Sequence, residues 1–253
     1  MTDFWIFAII GFVAQVIDSA LGMGFGVISA SVLLSQGIPP ALVSASVNAA
    51  KLPTTGAAAL SHYYHGNLNK KIVIAVSVFG AIGGVIGALI LASLKGQALT
   101  VFVTAYLFFI GALIVWRGIS GIAPRLLPAA YTRVIGFAGG LVEGIGGSWG
   151  PIVTTSLLGS GTESRYAIGS SNFGEFIVSI AVFTAFVSAY AIGHWEGGAD
   201  WQTVAWPVAG LVAGGLPAAI IGGYLSKITP RRALTIAVGM LAIGIGIYRM
   251  AGG

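Results

Sequence analysis

The chain has 253 residues, of which 57% are hydrophobic and 8% are charged. Because a soluble domain carries about a quarter charged residues, this composition excludes a soluble globular protein and predicts one whose partner is the lipid bilayer. The formal net charge of +5 comes from basic residues scattered over many segments, which argues against nucleic acid as a partner, and the absence of cysteine excludes disulfides and thiolate chemistry.

The first apolar run, residues 4–34, follows an amino terminus that has neither a basic region nor a small-residue cleavage site. We therefore expect this run to be retained rather than removed as a signal peptide. It is interrupted by DSALGMGFG, which begins at Asp18. The run is too long for one membrane helix and too short for two, so the glycines predict a broken helical hairpin. Its arms of roughly 10–17 residues would end near Asp18 and restart near Gly26, which is typical of a re-entrant piece rather than a span.

The later apolar runs predict full membrane spans, since each approaches the roughly 20 residues that cross a bilayer. A short basic linker with Arg117 and Arg125 separates the first three from the rest. A second broken hairpin follows the linker, where EGIGGSWGP interrupts residues 133–158 and proline favours a helix restart near Pro151. The predicted spans are residues 41–63, 72–94 and 99–116 before the linker and 166–192, 203–225 and 233–250 after it.

The two broken segments are similar in sequence. GFVAQVID at 11–18 aligns with GFAGGLVE at 136–143 with an offset of 125 residues. GMGFGVISASVLLSQG at 22–37 aligns with GGSWGPIVTTSLLGSG at 146–161 with an offset of 124 residues. Such self-similarity predicts two homologous repeats. Within a single transmembrane domain of residues 1–253, repeat one covers 1–118 and repeat two covers 126–250.

The charges of the loops predict that the two repeats are inverted. The positive-inside rule places the linker with Arg117 and Arg125 in the cytoplasm and the acidic loop 193–202 outside. If the second hairpin enters and leaves on the cytoplasmic side, each repeat makes an odd number of crossings and the amino terminus lies outside. We thus predict an all-α polytopic membrane protein with two inverted-topology repeats, each a re-entrant or broken helical hairpin plus three transmembrane helices. This architecture is typical of secondary transporters.

The glycine breaks indicate a binding site for a small anion. The second arm of each hairpin would direct the positive end of its helix toward the bilayer interior, where non-helical backbone is tolerated if it lines a cavity. A competing interpretation is that glycines only allow close helix packing, which we favour for later ones such as Gly80 and Gly210. The candidate substrate-binding residues are Gly24, Phe25, Gly26, Asn48, Lys51, Gly147, Ser148, Trp149, Gly150 and Asn172.

Ionisable residues also lie inside the apolar runs. Each costs about 2.5–3.5 kcal/mol at the centre of a membrane helix, so each needs a partner or a wet cavity. The repeat alignment pairs Lys51 with Glu175, and each follows an asparagine by three residues. One hypothesis makes Lys51 an anion-binding group and Glu175 the carrier of a coupling proton or sodium ion, and the other makes them a static ion pair. The candidate ion-coupling residues are Asp18, Glu143 and Glu175.

Two short motifs resemble catalytic or metal sites. GGSWG matches the G-x-S-x-G nucleophile elbow, with Ser148 at its centre. The elbow requires a strand, a turn, a helix and a histidine base, and the histidines of this chain fall at membrane edges or in loops. We therefore do not expect an enzyme, although an intramembrane enzyme built on Ser148 is the alternative from another class. HYYH at 62–65 fits an interfacial aromatic belt better than a metal site, so no metal or other cofactor is expected.

Taken in order, the motifs of both halves resemble the sulfite exporter TauE/SafE family, also called the toluene sulfonate uptake permeases. The resemblance rests on GMGFG, GGSWGP, QGIPPALVSASVNAAK, HGNLNKK and SRYAIGSSNFGEF. It implies export or uptake of small sulfur-containing anions, such as sulfite, sulfoacetate or another organosulfonate, by secondary transport.

The motifs and the resemblance lead to one expected function. We expect a multi-pass transporter of the bacterial inner membrane that binds a small anion between its hairpin tips and exports it by alternating access, coupled to protons or sodium. A carrier or channel for another small organic anion, such as a carboxylate, is the alternative. The oligomeric state stays open, a homodimer included.

Overall fold

The structure is a computed structural model that describes residues 2–94, 96–120, 129–195, 201–221, 224, 236, 239–244 and 247–248. Within these ranges all the regular elements are helices, which confirms the predicted all-α fold class. The helices are α1 (Thr2–Leu21), α2 (Phe25–Ser35), α3 (Pro40–Tyr64), α4 (Lys70–Ser93), α5 (Gly96–Ser120), α6 (Ala129–Gly146), α7 (Val153–Gly159), α8 (Ser164–Ala191) and α9 (Gln202–Ile220).

Four of the described helices are long and apolar enough to cross a membrane, judged by length and composition. They are α1 from Phe4 onward, α4, α8 and α9. Large apolar side chains on these helices, such as Trp5, Ile74 and Trp206, are exposed to the surroundings. That exposure would be unfavourable in water and is expected of helices in contact with lipid. The fold is therefore that of a polytopic membrane protein, as predicted.

The other predicted spans are less apolar or incompletely described. α3 covers the run at 41–63 with 25 residues, which at about 1.5 Å per residue is still long enough for a bilayer core. Its polar side chains make it less apolar than the four helices named above. α5 covers the run at 99–116, and its described residues Ala105–Ser120 form an apolar helix. The predicted span at 233–250 lies mostly outside the described residues.

The first hairpin differs in length from its prediction. Its first arm, α1, contains 20 residues and continues past Asp18 to Leu21, so it has the length of a span rather than of a re-entrant arm. The helix ends where Gly22 adopts a φ of +70°, a conformation that side chains disfavour. Asp18 lies inside the helix, and its carboxylate accepts a hydrogen bond from the Phe25 N–H beyond the glycine turn.

The second hairpin is less symmetric with the first than its sequence predicts. Its first arm, α6, has 18 residues, whereas α7 has seven and begins at Val153, two residues after Pro151 and so near the predicted restart. Pro151 lies in the turn before the helix, where its carbonyl oxygen accepts a hydrogen bond from the Thr155 hydroxyl. The second arm of this hairpin is therefore a short connection between the glycine break and α8.

Each broken hairpin packs mainly against a helix of the other predicted repeat. α1 packs along α9, α6 packs along α4, and α3 and α8 meet at the centre. Exchange of α1–α4 in order for α6–α9 leaves this set of helix pairs unchanged, as expected for two homologous halves. The inverted orientation of the repeats stays a prediction.

Glycines allow these helix pairs to approach closely. A Cβ added to Gly210 would lie 2.5 Å from the Phe4 carbonyl oxygen, and one added to Gly140 would lie 1.9 Å from that of Gly80. No real side chain fits at such distances, so the backbones of α1 and α9, and of α4 and α6, are in direct contact. The later glycines Gly80 and Gly210 thus allow close helix packing, as expected of them.

Candidate functional site

The two glycine breaks form the same local turn. We define residues 18–26 as the first tip and residues 143–151 as the second tip. In the first tip the Gly22 N–H donates to the Asp18 carbonyl oxygen at 2.6 Å, and in the second the Gly147 N–H donates to the Glu143 carbonyl oxygen at 2.7 Å. Both glycines have positive φ, +70° and +67°. Glycine is needed at these two positions because the turn reverses the chain at the end of a helix.

The acidic residue of each tip holds the backbone beyond its own glycine turn. The Phe25 N–H donates to Asp18 Oδ1 at 3.3 Å, and the Trp149 N–H donates to Glu143 Oε2 at 2.8 Å. The sequence predicts that these N–H groups bind the substrate anion. In this conformation they are used by the protein's own carboxylates, which act as caps of the second arms.

The tips of the two predicted repeats touch each other through their backbones. A Cβ added to Gly26 would lie 1.5 Å from the Gly147 carbonyl oxygen, and one added to Gly150 would lie 2.2 Å from that of Gly22. The Thr154 hydroxyl also donates to the Gly22 carbonyl oxygen at 2.6 Å. The structure thus brings the predicted tips together, but backbone contact this close leaves no room for an anion between these atoms.

Lys51 lies where the tips meet and uses all three of its ammonium hydrogens. Its Nζ is 2.7 Å from Glu143 Oε1, 2.7 Å from Glu175 Oε1 and 2.8 Å from the Gly147 carbonyl oxygen. The side chain is completely buried. An ammonium group has three donors, so none is left here for a substrate anion. The Lys51–Glu175 ion pair, one of the two alternatives from the sequence, is present in this conformation, with Glu143 as a second carboxylate on the same ammonium.

Two carboxylates contact this single cation, and a third buried carboxylate, that of Asp18, interacts with it electrostatically. Asp18 is 1% exposed and interacts electrostatically with Lys51 and Glu143. We call Asp18, Lys51, Glu143 and Glu175 the ion cluster. With all four groups ionised its net charge is −2, and isolated charge in a dry interior is costly. The cluster therefore favours the binding of protons or cations over that of anions.

The two asparagines of the predicted site have matching environments. Asn48 donates through Nδ2 to the Ser44 carbonyl oxygen at 2.9 Å, and Asn172 donates to the Ile168 carbonyl oxygen at 3.1 Å. Both side chains are buried, and among the described residues neither Oδ1 atom has a hydrogen-bond partner. Buried acceptors without partners are uncommon, which makes these oxygens candidates for contact with a coupling cation or water.

The aromatic residues of the tips are packed inside the protein. Trp149 is completely buried and donates through Nε1 to the carbonyl and hydroxyl oxygens of Ser171, at 3.1 and 3.0 Å. Its ring fills a slot against Gly80, where an added Cβ would lie 2.8 Å away. Phe25 is completely buried as well. Both side chains hold the tips in place in this conformation rather than lining an open space.

Ser148 does not have the surroundings of a nucleophile. Its hydroxyl donates to the Gly146 carbonyl oxygen at 3.3 Å, and no histidine of the described residues is hydrogen-bonded to it. Beside it is a cavity of about 10 Å³ between α2, α5 and the second tip, which Tyr106 also lines. That volume has room for about one water molecule. Among the described residues no group of three or more acidic or histidine side chains is arranged to hold a metal ion.

Comparison with known proteins places the chain in a family. The model of the family described as "Sulfite exporter TauE/SafE" matches residues 7–250. The chain belongs to the sulfite exporter TauE/SafE family. The "Probable membrane transporter protein YtnM" of Bacillus subtilis (strain 168) is 33% identical over 229 residues, which cover 87% of this chain and 73% of that protein.

A second relative of this TauE/SafE-family chain is more distant. The "Probable membrane transporter protein ORF9" of a Sinorhizobium species is 27% identical over 186 residues, which cover 69% of this chain and 70% of the relative. No solved structure matches the chain. The family and both relatives are named as transporters, in agreement with the polytopic fold, and the chain is a membrane transporter of the TauE/SafE family.

Three residues of the candidate site in this TauE/SafE-family chain are not predicted by the sequence. Ser171 bridges Trp149 and Thr154, whose hydroxyl is 2.6 Å from the Ser171 hydroxyl. Tyr106 on α5 lies against Ser148 at the cavity. Ser171 directly precedes Asn172 in a polar run, a signal that could have indicated it. Thr154 and Tyr106 follow no pattern, because their roles depend on which helix lies opposite.

Proposed function

We propose that the protein is a proton-coupled secondary transporter that exports a small sulfur-containing anion across the bacterial inner membrane, with its amino terminus outside. Sulfite, sulfoacetate or another organosulfonate is the substrate class. The family description supports this class, and the polytopic fold supports transport across a membrane. The ion cluster supports the coupling.

The observation that carries the coupling is the excess of buried carboxylates over cations. Glu143 and Glu175 both pair with Lys51, so one ammonium neutralises one of the two at most. Asp18 adds a third acidic group. A buried group without a counter-charge takes up a proton instead of remaining ionised. A cluster of this kind binds a proton in one conformation and releases it in another, which is the requirement for coupling.

The two glutamates have different roles in the proposal. Both carboxylate oxygens of Glu143 are engaged, one by Lys51 and one by the Trp149 N–H, so this residue holds the second tip. Glu175 is on α8 and pairs with Lys51 through Oε1, outside either tip. A proton added to Glu175 weakens that pair without breaking a tip. Glu175 is therefore the proton carrier, and Glu143 is the positioning residue.

Separation of the tips would convert the closed conformation into an open one. Each tip packs on a helix of the other predicted repeat, so movement of one half against the other changes the contact between Gly26 and Gly147. It would also expose Asn48, Asn172 and the backbone of both tips. Alternating access by rocking of two repeats follows this pattern in transporters of inverted topology.

Transport in liposomes tests the proposed function. Purified protein is reconstituted, and flux of sulfite or sulfoacetate is measured with and without an imposed pH gradient. The gradient should accelerate flux of the unaltered protein, and Glu175→Gln should transport at a rate independent of it. Glu163→Gln is the matched control, because Glu163 is 59% exposed and pairs with Arg165 at the surface.

Four results would contradict parts of the proposal. Gradient dependence that survives in Glu175→Gln removes Glu175 from coupling, and acceleration by sodium in place of protons identifies another ion. Flux of acetate without flux of sulfite or sulfoacetate supports the carboxylate alternative. Internal substrate accelerates uptake by a carrier but not by a channel, so counterflow separates these two. Ser148→Ala should leave flux measurable, whereas the same change would abolish the activity of an intramembrane enzyme built on Ser148.

A further inference from the structure

Arg117 makes an unusual contact near the end of α5. Its guanidinium donates through Nη1 to the Thr155 hydroxyl and reaches the Ser156 hydroxyl at 3.4 Å from Nη1 and 3.5 Å from Nη2. Both hydroxyls are on α7, the helix that follows the second tip. Thr155 is 2% exposed and Arg117 is half-buried. The sequence assigns Arg117 only to a basic linker that orients the protein.

No carboxylate neutralises this cation among the described residues. Lys51 is buried with two glutamates, and Arg165 pairs with Glu163. Arg133 is exposed and lies over the Phe79 ring. Arg117 is different from all three, since the groups that hold it are neutral hydroxyls. A half-buried guanidinium without a counter-ion is a ready partner for an oxyanion.

Because the ion cluster repels anions, an anion carrier needs a further cation outside the cluster. The cluster has more carboxylates than cations, and Lys51 has no free donor. An anion that approaches the second tip meets repulsion there unless another cation binds it first. α5 makes two contacts near the second tip, about three helical turns apart: Tyr106 lies beside Ser148 at the small cavity, and Arg117 lies beside Thr155 on α7, just after the tip. Arg117 therefore places a cation beside the helix that follows the second tip.

We propose that Arg117, with the hydroxyls of Thr155 and Ser156, forms a binding site for the sulfur oxyanion on the cytoplasmic side of the second tip. The planar guanidinium presents paired N–H donors that fit two oxygens of a sulfite or sulfonate group. The hydroxyls hold the guanidinium when the anion is absent, and the Ser156 hydroxyl can donate a further hydrogen bond to it. The site names the substrate contact of the proposed function and rests on that function.

Substitutions at Arg117 and Thr155 test the site. Flux into liposomes is measured against the concentration of sulfite and, separately, of sulfoacetate. Arg117→Gln should raise KM at least 10-fold with a smaller change in the maximum rate, and Arg117→Lys should raise it less. Arg133→Gln is the matched control and should leave KM within 2-fold. Thr155→Val breaks the same α5–α7 contact from the other side and should change KM far less than Arg117→Gln.

The comparison of these variants separates binding from a structural tether. If Arg117 only ties α5 to α7, then Arg117→Gln and Thr155→Val lower the thermal unfolding temperature alike and leave KM unchanged, which overturns the site. Should Arg117→Gln fail to fold, the KM of Arg117→Lys decides, since that variant keeps the charge but not the paired donors. If the unaltered protein shows no saturable flux of either anion, the proposed function itself is contradicted. Saturable flux with equal KM in all variants contradicts the Arg117 site alone.

Discussion

Lys51 and Glu143 are 92 residues apart in the chain, yet Lys51 Nζ and Glu143 Oε1 lie 2.7 Å apart and neither side chain is exposed. The pair joins α3 of the first predicted repeat to the second tip. Glu143 also accepts the Trp149 N–H, and Lys51 also donates to the Gly147 carbonyl oxygen. A single buried cation therefore connects the backbone and the carboxylate of the second tip to the first half.

Removal of the Lys51 ammonium should strongly destabilise the protein. Lys51→Met leaves Glu143 and Glu175 buried without a counter-charge and the Gly147 carbonyl oxygen without its donor. Breaking a buried ion pair in this way costs about 3–5 kcal/mol. Unfolding in detergent, followed by tryptophan fluorescence, measures the loss. Lys70→Met, at an exposed position, should change stability little.

A second change should restore part of that loss. Lys51→Met combined with Glu175→Gln removes one of the two uncompensated charges, so the double variant should be more stable than Lys51→Met alone. Equal stability of Lys51→Met and the unaltered protein would show that the ion cluster does not hold the tips together.

A side chain at Gly26 should force the two tips apart. The Cβ of Gly26→Ala would lie 1.5 Å from the Gly147 carbonyl oxygen and 2.7 Å from Lys51 Nζ. Overpacking typically costs about 1–3 kcal/mol, and overlap with backbone should cost at least as much because a carbonyl cannot turn away as a side chain does. Yield of monodisperse protein and its thermal unfolding measure the effect. Gly244→Ala, where no described residue lies within 4 Å of the added Cβ, is the matched control.

Much of the site follows from local patterns in the sequence. An acidic residue followed by glycines marks both tips, and the alignment of the two repeats places Lys51 and Glu175 at equivalent positions, which makes an ion pair between them one of two alternatives. The ends of α1 and α6 follow from Gly22 and Gly147, where helix backbone cannot continue with ordinary side chains. These features depend on residues near each other in the chain or on the repeat, which sequence patterns record.

The parts that the sequence does not predict depend on packing between distant segments. That Glu143 pairs with Lys51 requires the second tip to lie against α3. The full length of α1 is not predicted because a carboxylate inside an apolar helix resembles a helix end, whereas Asp18 caps the next arm through Phe25. The charge of Arg117 marks the linker, which the sequence predicts to be cytoplasmic, but its contact with Thr155 requires knowledge of where α7 lies.

Trp149 should contribute to stability rather than to substrate affinity. Trp149→Phe keeps a ring in the slot beside Gly80 but leaves the Ser171 oxygens without the indole donor, at a cost of about 1–3 kcal/mol. Trp149→Ala leaves a cavity and should cost about 3–5 kcal/mol. Denaturant unfolding gives both values, with Trp206→Phe as the exposed control. A large rise in KM for sulfite in folded Trp149→Phe, with unchanged stability, would instead indicate contact with substrate.

The topology of the first hairpin can be read from single cysteines, because the chain has none of its own. A re-entrant hairpin that enters from outside places Thr2 and Gln36 on the same outer side and Lys70 on the cytoplasmic side. An impermeant thiol reagent added to intact cells should then label Thr2→Cys and Gln36→Cys but not Lys70→Cys. The experiment distinguishes two topologies, because α1 is by itself long enough to cross a membrane. Labelling of Thr2→Cys and Gln36→Cys from different sides would show that the broken segment crosses the membrane and that the repeats are not inverted as predicted.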